Sequence, residues 1–162
     1  MDSLKDTLRP HQLRAYNKMT TEKSGQIIIP TGGGKTFIMI ADCHRLVTTT
    51  PRNPQTIVIV APRILLANQL SNEFESALPN VKIAHVHSGE THHFSTTDHR
   101  YLTHWSCSNP QYDKLIFTTY HSLHRVLDSM VNINRIYFDE AHNGTSKVFF
   151  KQIKRVADSQ ID

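Results

Sequence analysis

Pro30-Thr31-Gly32-Gly33-Gly34-Lys35-Thr36 follows a short β-branched run and opens a helical pattern. Consecutive glycines let successive backbone N–H groups turn inward around phosphate oxygens, and the N-terminus of a helix adds its partial positive charge. Thr31, Gly32, Gly33 and Gly34 are the expected cradle. Lys35 would bring a mobile cation to the β- and γ-phosphates, and the Thr36 hydroxyl would ligate Mg²⁺. The general pattern has glycine five residues before Gly34, where this chain has Ile29. The portion that wraps phosphate is kept. A glycine-rich turn that merely joins a strand to a helix is the competing reading, and the order strand, glycines, lysine, helix favours a nucleotide.

A second chemical stretch, Asp139-Glu140-Ala141-His142, directly follows Ile136-Tyr137-Phe138. A carboxylate at the end of a buried strand near a phosphate loop can hold Mg²⁺ through water, which suits Asp139. Glu140 beside it can orient and polarise an attacking water. Alone, these residues read as a solvated turn. Paired with Lys35 and Thr36, they read as catalytic.

Histidines form a third concentration: His85, His87, His92, His93, His99 and His104, with Cys107, lie within 23 residues. Their spacing is irregular, and no H-x₃-H pair lies on a firm helix. A polar, partly exposed loop is therefore expected in preference to a zinc site. Protonation of such a cluster near pH 6 would raise local positive charge and tighten binding to a polyanion.

The elements that must position these residues follow from hydrophobic periodicity. Gln26 to Ile29, Thr56 to Ala61, Val81 to Val86, Leu115 to Thr118 and Ile133 to Phe138 are four- to six-residue apolar, β-branched or aromatic runs, expected as buried strands. Helical stripes lie between them: Phe37, Ile40, Ala41 and Val47; Leu66, Leu70, Phe74 and Ala77; Leu123, Val126, Leu127 and Met130; and finally Phe149, Ile153, Val156 and Ala157. Strands alternating with helices predict a three-layer α/β/α sandwich with a mostly parallel sheet, whose ligands sit beyond the carboxyl ends of the strands. Ser88 to Asp113 breaks the alternation, with a short helix expected over Thr97 to His104.

Composition bounds the partners. The 38% hydrophobic content supplies one packed core, and 18 Lys plus Arg against 14 Asp plus Glu give a net charge of +4, which favours a polyanionic partner without demanding one. Two cysteines make neither a disulfide framework nor a zinc site. No apolar run approaches the ~20 residues of a bilayer span, and Met1 to Pro10 lacks the apolar centre of a secretory signal. The expected location is therefore a cytosol-like compartment, cytoplasmic or that of a nucleus or virus-infected host cell, away from membranes.

With these residues in view, the chain resembles the first RecA-like, P-loop NTPase domain of a superfamily 2 helicase or translocase of the DEAH-box kind, from Leu8 to about Phe150. Arg9-Pro10-His11-Gln12 is similar to the segment upstream of motif I, and the resemblance gives Gln12 the role of contacting adenine. Pro30 to Thr36 resembles motif I. Ala61-Pro62-Arg63, with Leu66 and Gln69, resembles motif Ia, and Thr118 to Leu123 resembles motif Ib. Asp139 to His142 matches motif II. The resemblance implies ATP and Mg²⁺ as cofactors, with Arg63, Thr119 and the Ser88-Gly89 loop touching the phosphodiester backbone of a strand. DNA is implied in preference to RNA. His142 would couple the nucleotide site to the rest of the motor. Helix N-terminal capping is the competing role for Arg63 and Thr119.

Motif III and an arginine-finger motif are not found after Phe150. The expectation is a single domain over 1–162, the first lobe without the second, needing a second RecA-like lobe in cis or in trans. Without an arginine finger, turnover should fall by ~10³ to 10⁵. The alternative is a stand-alone nucleotide- or nucleic-acid-binding regulatory module with vestigial ATPase activity. A small P-loop kinase ranks last, because kinases lack the DEAH sequence and the motif Ia and Ib segments.

Overall fold

A computed structural model describes residues 4–29, 34–49, 53–139 and 156. It divides into two compact units, Met1–Arg52 with Asp162 and Asn53–Ile161.

In the first unit, a 3₁₀ turn over Leu4–Thr7 precedes helix α1, Pro10–Thr21, and helix α2 follows over Lys35–Thr48. Pro10 stands at the first helical position, where its missing N–H costs nothing. Gln12 closes the same end by accepting the Arg9 N–H at 2.8 Å. Tyr16 of α1 packs on Ile38 and Ala41 of α2, with Leu8, Leu13 and Met19 around them. Within α2, buried Asp42 is paired with Arg45 at 2.7 Å.

The second unit holds the sheet. Strands β1 (Thr56–Ala61), β2 (Val81–Val86), β3 (Phe94–Ser95), β4 (Asp113–Thr119) and β5 (Arg135–Phe138) lie in the order β3-β2-β4-β1-β5. Every pairing is parallel. Helices α3 (Ile64–Ala77), α4 (His99–Cys107) and α5 (Leu123–Asp128) occupy the connections. Parallel strands need such crossovers, and burial on both faces explains why β1 and most of β4 read as continuous apolar runs.

Alternation along the strands separates two layers. Val58, Val60, Ala84, Val86 and Ile116 join Leu102 of α4 and Leu123 and Val126 of α5 in one cluster, to which Val156 also belongs. On the other face α3 packs on β1, β2 and β4, with Phe74 set edge-on to Phe117 at 5.5 Å between ring centroids.

Three expectations change. Gln26 to Ile29 is not a strand: it forms no ladder among the described residues, and Ile28 is 85% exposed. A β-branched run becomes a strand only where a neighbour supplies a ladder. Helix α1, which the apolar stripes did not announce, is present, because its signals are the N-terminal proline and a glutamine cap. In the histidine-rich segment the helix runs over His99–Cys107, starting two residues and ending three residues later than Thr97 to His104, since Asp98 caps it by accepting the Arg100 N–H. A two-residue strand, β3, precedes it. Of the last helical stripe only Val156 is described; Phe149, Ile153 and Ala157 lie outside the described residues.

Candidate functional site

In the first unit the residues expected at the nucleotide gather around Gly34. Gly34 is the N-cap of α2 with φ 77°, a left-handed backbone that disfavours any side chain, and no side chain caps the helix there. Lys35, the first helical residue, is exposed, and Thr36 is half-buried. Gln12 is 6% exposed, and its Nε2 donates to the Gly34 carbonyl at 3.2 Å. A Cβ at Gly34 would run into that amide. Gln12 therefore fixes the end of the loop through the backbone. Thr31, Gly32 and Gly33 lie outside the described residues.

In the second unit, parallel register aligns the carboxyl ends of the strands. Ala61 pairs with Thr119, Val86 with Thr118 and Val60 with Phe138. The residues that follow each strand consequently emerge along one edge: Arg63 after β1, Ser88 and Gly89 after β2, Thr119 closing β4 and Asp139 after β5. Backbone bonds lace this edge together. The Tyr120 N–H donates to the Ala61 carbonyl at 3.2 Å, and the Asp139 N–H donates to that of Val60 at 2.8 Å. The Tyr120 phenol reaches across to the Asp139 carbonyl at 3.0 Å. Sequence reasoning passed over Tyr120, which is buried and links the motif Ib and motif II segments.

Arg63 is the N-cap of α3 in extended conformation, exposed and making no side-chain cap bond. Its guanidinium has no acceptor function, so capping is not its role. Thr119 differs. It is buried, and its Oγ1 accepts the Ser122 N–H at 3.3 Å, which holds the turn into α5. The Ser88-Gly89 loop lies against the start of α3, where a Cβ on Gly89 would collide with the Ile64 side chain. Asn68 also donates to the Glu90 carbonyl at 3.2 Å. Arg63 and Gly89 are thus on adjoining segments. Asp139 is 4% exposed; Glu140 and His142 lie outside the described residues.

The histidine segment is not one exposed cluster. His85 and His87 are buried, and burial lowers the basicity of both, that of His85 to a pKa of about 3 with neighbouring His87, His93 and His92 adding to the effect. Charging near pH 6 does not extend to His85, and burial opposes it at His87. Among the described residues, a shallow cavity of about 470 Å³ opens at the amino ends of β1 and β4, between Asn53, Cys107, Lys114 and Met130. It is on the opposite edge from the strand termini that carry the candidate residues, so it does not coincide with this site. No helix among the described residues is long and apolar enough to cross a membrane.

Comparison with known proteins bears on this arrangement. A family model described as type III restriction enzyme, res subunit, matches residues 5–161. A nuclease-deletion mutant of the type ISP restriction-modification enzyme LlaGI, in complex with a DNA substrate mimic, is similar with TM-score 0.71 and 20% identity, over 93% of this chain and 16% of that one. The ATP-dependent type ISP enzyme LlaBIII bound to DNA gives TM-score 0.73 and 18% identity, over 95% of this chain and 12% of that one. The SWI2/SNF2 ATPase core of Sulfolobus solfataricus with double-stranded DNA gives 0.60 and 21%, over 96% and 30%. The chain therefore spans less than a third of the length of each of these structures. No curated protein matches it. The structural likenesses establish a RecA-like α/β fold of the kind found in superfamily 2 helicase cores.

Proposed function

Because the chain belongs to the family described as type III restriction enzyme, res subunit, and is a superfamily 2 RecA-like helicase lobe, we propose that it is the ATP-binding lobe of a DNA translocase. One observation carries this reading: the ends of β1, β2, β4 and β5 bring Arg63, Ser88, Gly89, Thr119 and Asp139 to a single edge of the parallel sheet. The compared structures are described as bound to DNA or to a DNA mimic, and one as ATP-dependent, which supports DNA as the polymer.

Mg-ATP fits the residues of the first unit. No side chain caps the start of α2, and a helix N-terminus entered through the left-handed Gly34 suits phosphate oxygens, with Lys35 as its first residue. Thr31, Gly32, Gly33, Gly34, Lys35 and Thr36 would hold the phosphates, and Gln12 the adenine edge. Gln12 already spends its amide on Arg9 and Gly34, so its contribution includes keeping the loop in register. Thr36 and Asp139 would hold Mg²⁺, Glu140 would take a proton from the attacking water, and His142 would pass the state of the site onward. Bound ATP supplies the phosphoanhydride whose cleavage drives movement between two lobes. The facing lobe, in cis or in trans, must add an arginine.

On the strand side, the Arg63 guanidinium, the Ser88 hydroxyl and backbone N–H groups at Gly89 suit phosphodiester oxygens and read no sequence. Thr119 acts by shaping the turn it caps as well as by any contact of its own.

Steady-state ATPase with and without single-stranded DNA, for the chain and for Lys35→Ala, tests the reading. The expected result is slow, DNA-stimulated turnover that the variant loses, together with nucleotide affinity lowered about tenfold or more. Arg63→Ala should weaken DNA binding and reduce the salt dependence by about one ion. DNA binding without any Lys35-dependent turnover, even with a second lobe supplied, would instead make the chain a regulatory binding module.

A further inference from the structure

We propose that Glu75, His92 and His93 form a binding site for a zinc-class divalent cation, and that filling it reverses a chain of histidine hydrogen bonds ending at the Gly89 amide. Two rings and one carboxylate converge on the outer side of α3. His93 Nε2 lies 2.9 Å and His92 Nε2 3.4 Å from the same oxygen, Glu75 Oε2. All three ligand atoms lie within 4.8 Å of one another. Bonds of ~2.0–2.2 Å in a tetrahedron place ligand atoms roughly 3.3 Å apart, so small side-chain adjustments would admit the ion. Two imidazoles and a carboxylate with a fourth position open to water suit Zn²⁺ better than Mg²⁺ or Ca²⁺, which take oxygen ligands. The positions differ in freedom: the side chains of Glu75 and His92 are 49% and 65% exposed, that of His93 only 10%.

His93 is held from behind. Its Nδ1 lies 3.2 Å from His85 Nε2, and His85 Nδ1 lies 3.0 Å from His87 Nε2. His87 Nδ1 accepts the Gly89 N–H at 3.0 Å. A backbone N–H can only donate, so this end fixes the direction of the whole chain. His87 carries its proton on Nε2 and gives it to His85, His85 gives its Nε2 proton to His93, and His93 gives its Nε2 proton to the Glu75 carboxylate. Three neutral rings and four bonds all point the same way, from the strand-side loop to the surface.

A metal on His93 Nε2 displaces that proton to solvent and requires Nδ1 of the neutral ring to hold one. The His85 Nε2 proton moves to His93 Nδ1, and the His87 Nε2 proton moves to His85 Nδ1. His87 Nδ1 then takes a proton from solvent. One proton leaves, one enters, and no charge is added to the rings. His87 Nδ1–H now faces the Gly89 N–H, two donors where there was a bond. A donor-donor mismatch must fall at some link, and it costs least at this half-buried end, where the amide can turn to another acceptor. That such an acceptor is a strand phosphate rests on the function proposed above; the site and the reversal do not.

The test uses the full chain stripped with a chelator and titrated with ZnCl₂ by calorimetry, with histidine ring tautomers read by long-range ¹⁵N–¹H NMR. The expected result is one zinc per chain, weakened about tenfold or more by Glu75→Gln and by His92→Ala, both at exposed positions. His85 and His87 should pass from the Nε2–H to the Nδ1–H form as zinc is added, and the Gly89 amide should exchange faster. No zinc uptake, uptake indifferent to both variants, or uptake with the two tautomers unchanged would overturn the proposal. Strand binding by zinc-free chain and by Arg63→Ala is measured separately, so failure of the DNA reading leaves the ring spectra as they were.

Discussion

The two faces of the sheet are built from the same strands and hold together differently. Under α4 and α5 the contacts are mainly apolar, with Leu102, Leu123 and Val126 filling the spaces between Val58, Val60, Ala84 and Ile116. Under α3 the packing starts the same way at Phe74 and Phe117, then turns polar at β2, where His85 stacks on Phe117 at 5.6 Å and passes hydrogen bonds to His87 and His93. Apolar packing is indifferent to direction and to pH. A polar chain has a direction, ends that must be satisfied, and a response to protons.

The apolar face should show the largest single effect. Leu102 is fully buried, and Leu102→Ala removes a side chain from a packed cluster. Loss of about 2–5 kcal/mol in chemical unfolding is expected, unchanged between pH 7 and pH 5. If that loss varied strongly with pH, the contrast between the faces would fail.

Acid should instead act through the polar face. An unfolded histidine titrates near 6.5, whereas folded His85 stays neutral down to about 3. Between those values the unfolded chain binds the extra proton, so stability is fully present above about pH 6.5 and falls as pH drops toward 3. The slope is at most about 1.4 kcal/mol per pH unit for this one ring. Unfolding of zinc-free protein from pH 7 to 4 checks it, with His85→Leu as the control that removes this ring's share of the slope.

His85→Leu also has a cost at neutral pH, smaller than the cavity effect. It leaves the His87 Nε2–H and the His93 Nδ1 without their partners inside the fold, for about 1–3 kcal/mol. The double variant His85→Leu with His87→Leu should recover part of it, since removing both members of a bond is milder than stranding one. Destabilisation that simply added in the double variant would mean that the rings act as independent fillers.

These differences also explain what the sequence could disclose. Strands β1 and β4 were legible because burial on both faces leaves unbroken β-branched runs. The carboxyl-edge grouping of Arg63, Gly89, Thr119 and Asp139 followed from topology once the strands were placed. Gln26 to Ile29 misled, since a propensity says nothing of whether a partner strand is there. The polar chain was invisible for another reason. Its histidines were counted as a loop, but the group that gives the chain its surface terminus, Glu75, lies on α3, ten residues before His85 and separated from it by Pro79 and Asn80. Asn80 turns the chain with φ 59°, which brings the two segments side by side.

The smallest effect separates local structure from either face. Asp98 caps α4 through the Arg100 N–H at 2.8 Å and pairs with the Arg100 guanidinium at 2.7 Å. Those bonds hold its carboxyl down at about 2. Asp98→Ala should loosen the first turn of α4 as a lost N-cap. The guanidinium adds little, because an exposed ion pair is screened, so Arg100→Ala should cost less than Asp98→Ala. Since α4 anchors Leu102 in the apolar cluster, the loss in Asp98→Ala should appear as faster amide exchange confined to the first turn of α4, with the ring tautomers of His85 and His87 unaltered. Altered tautomers would mean that the cap reaches the polar face, and that the two sides of the sheet are mechanically coupled through the segment joining β3 to α4.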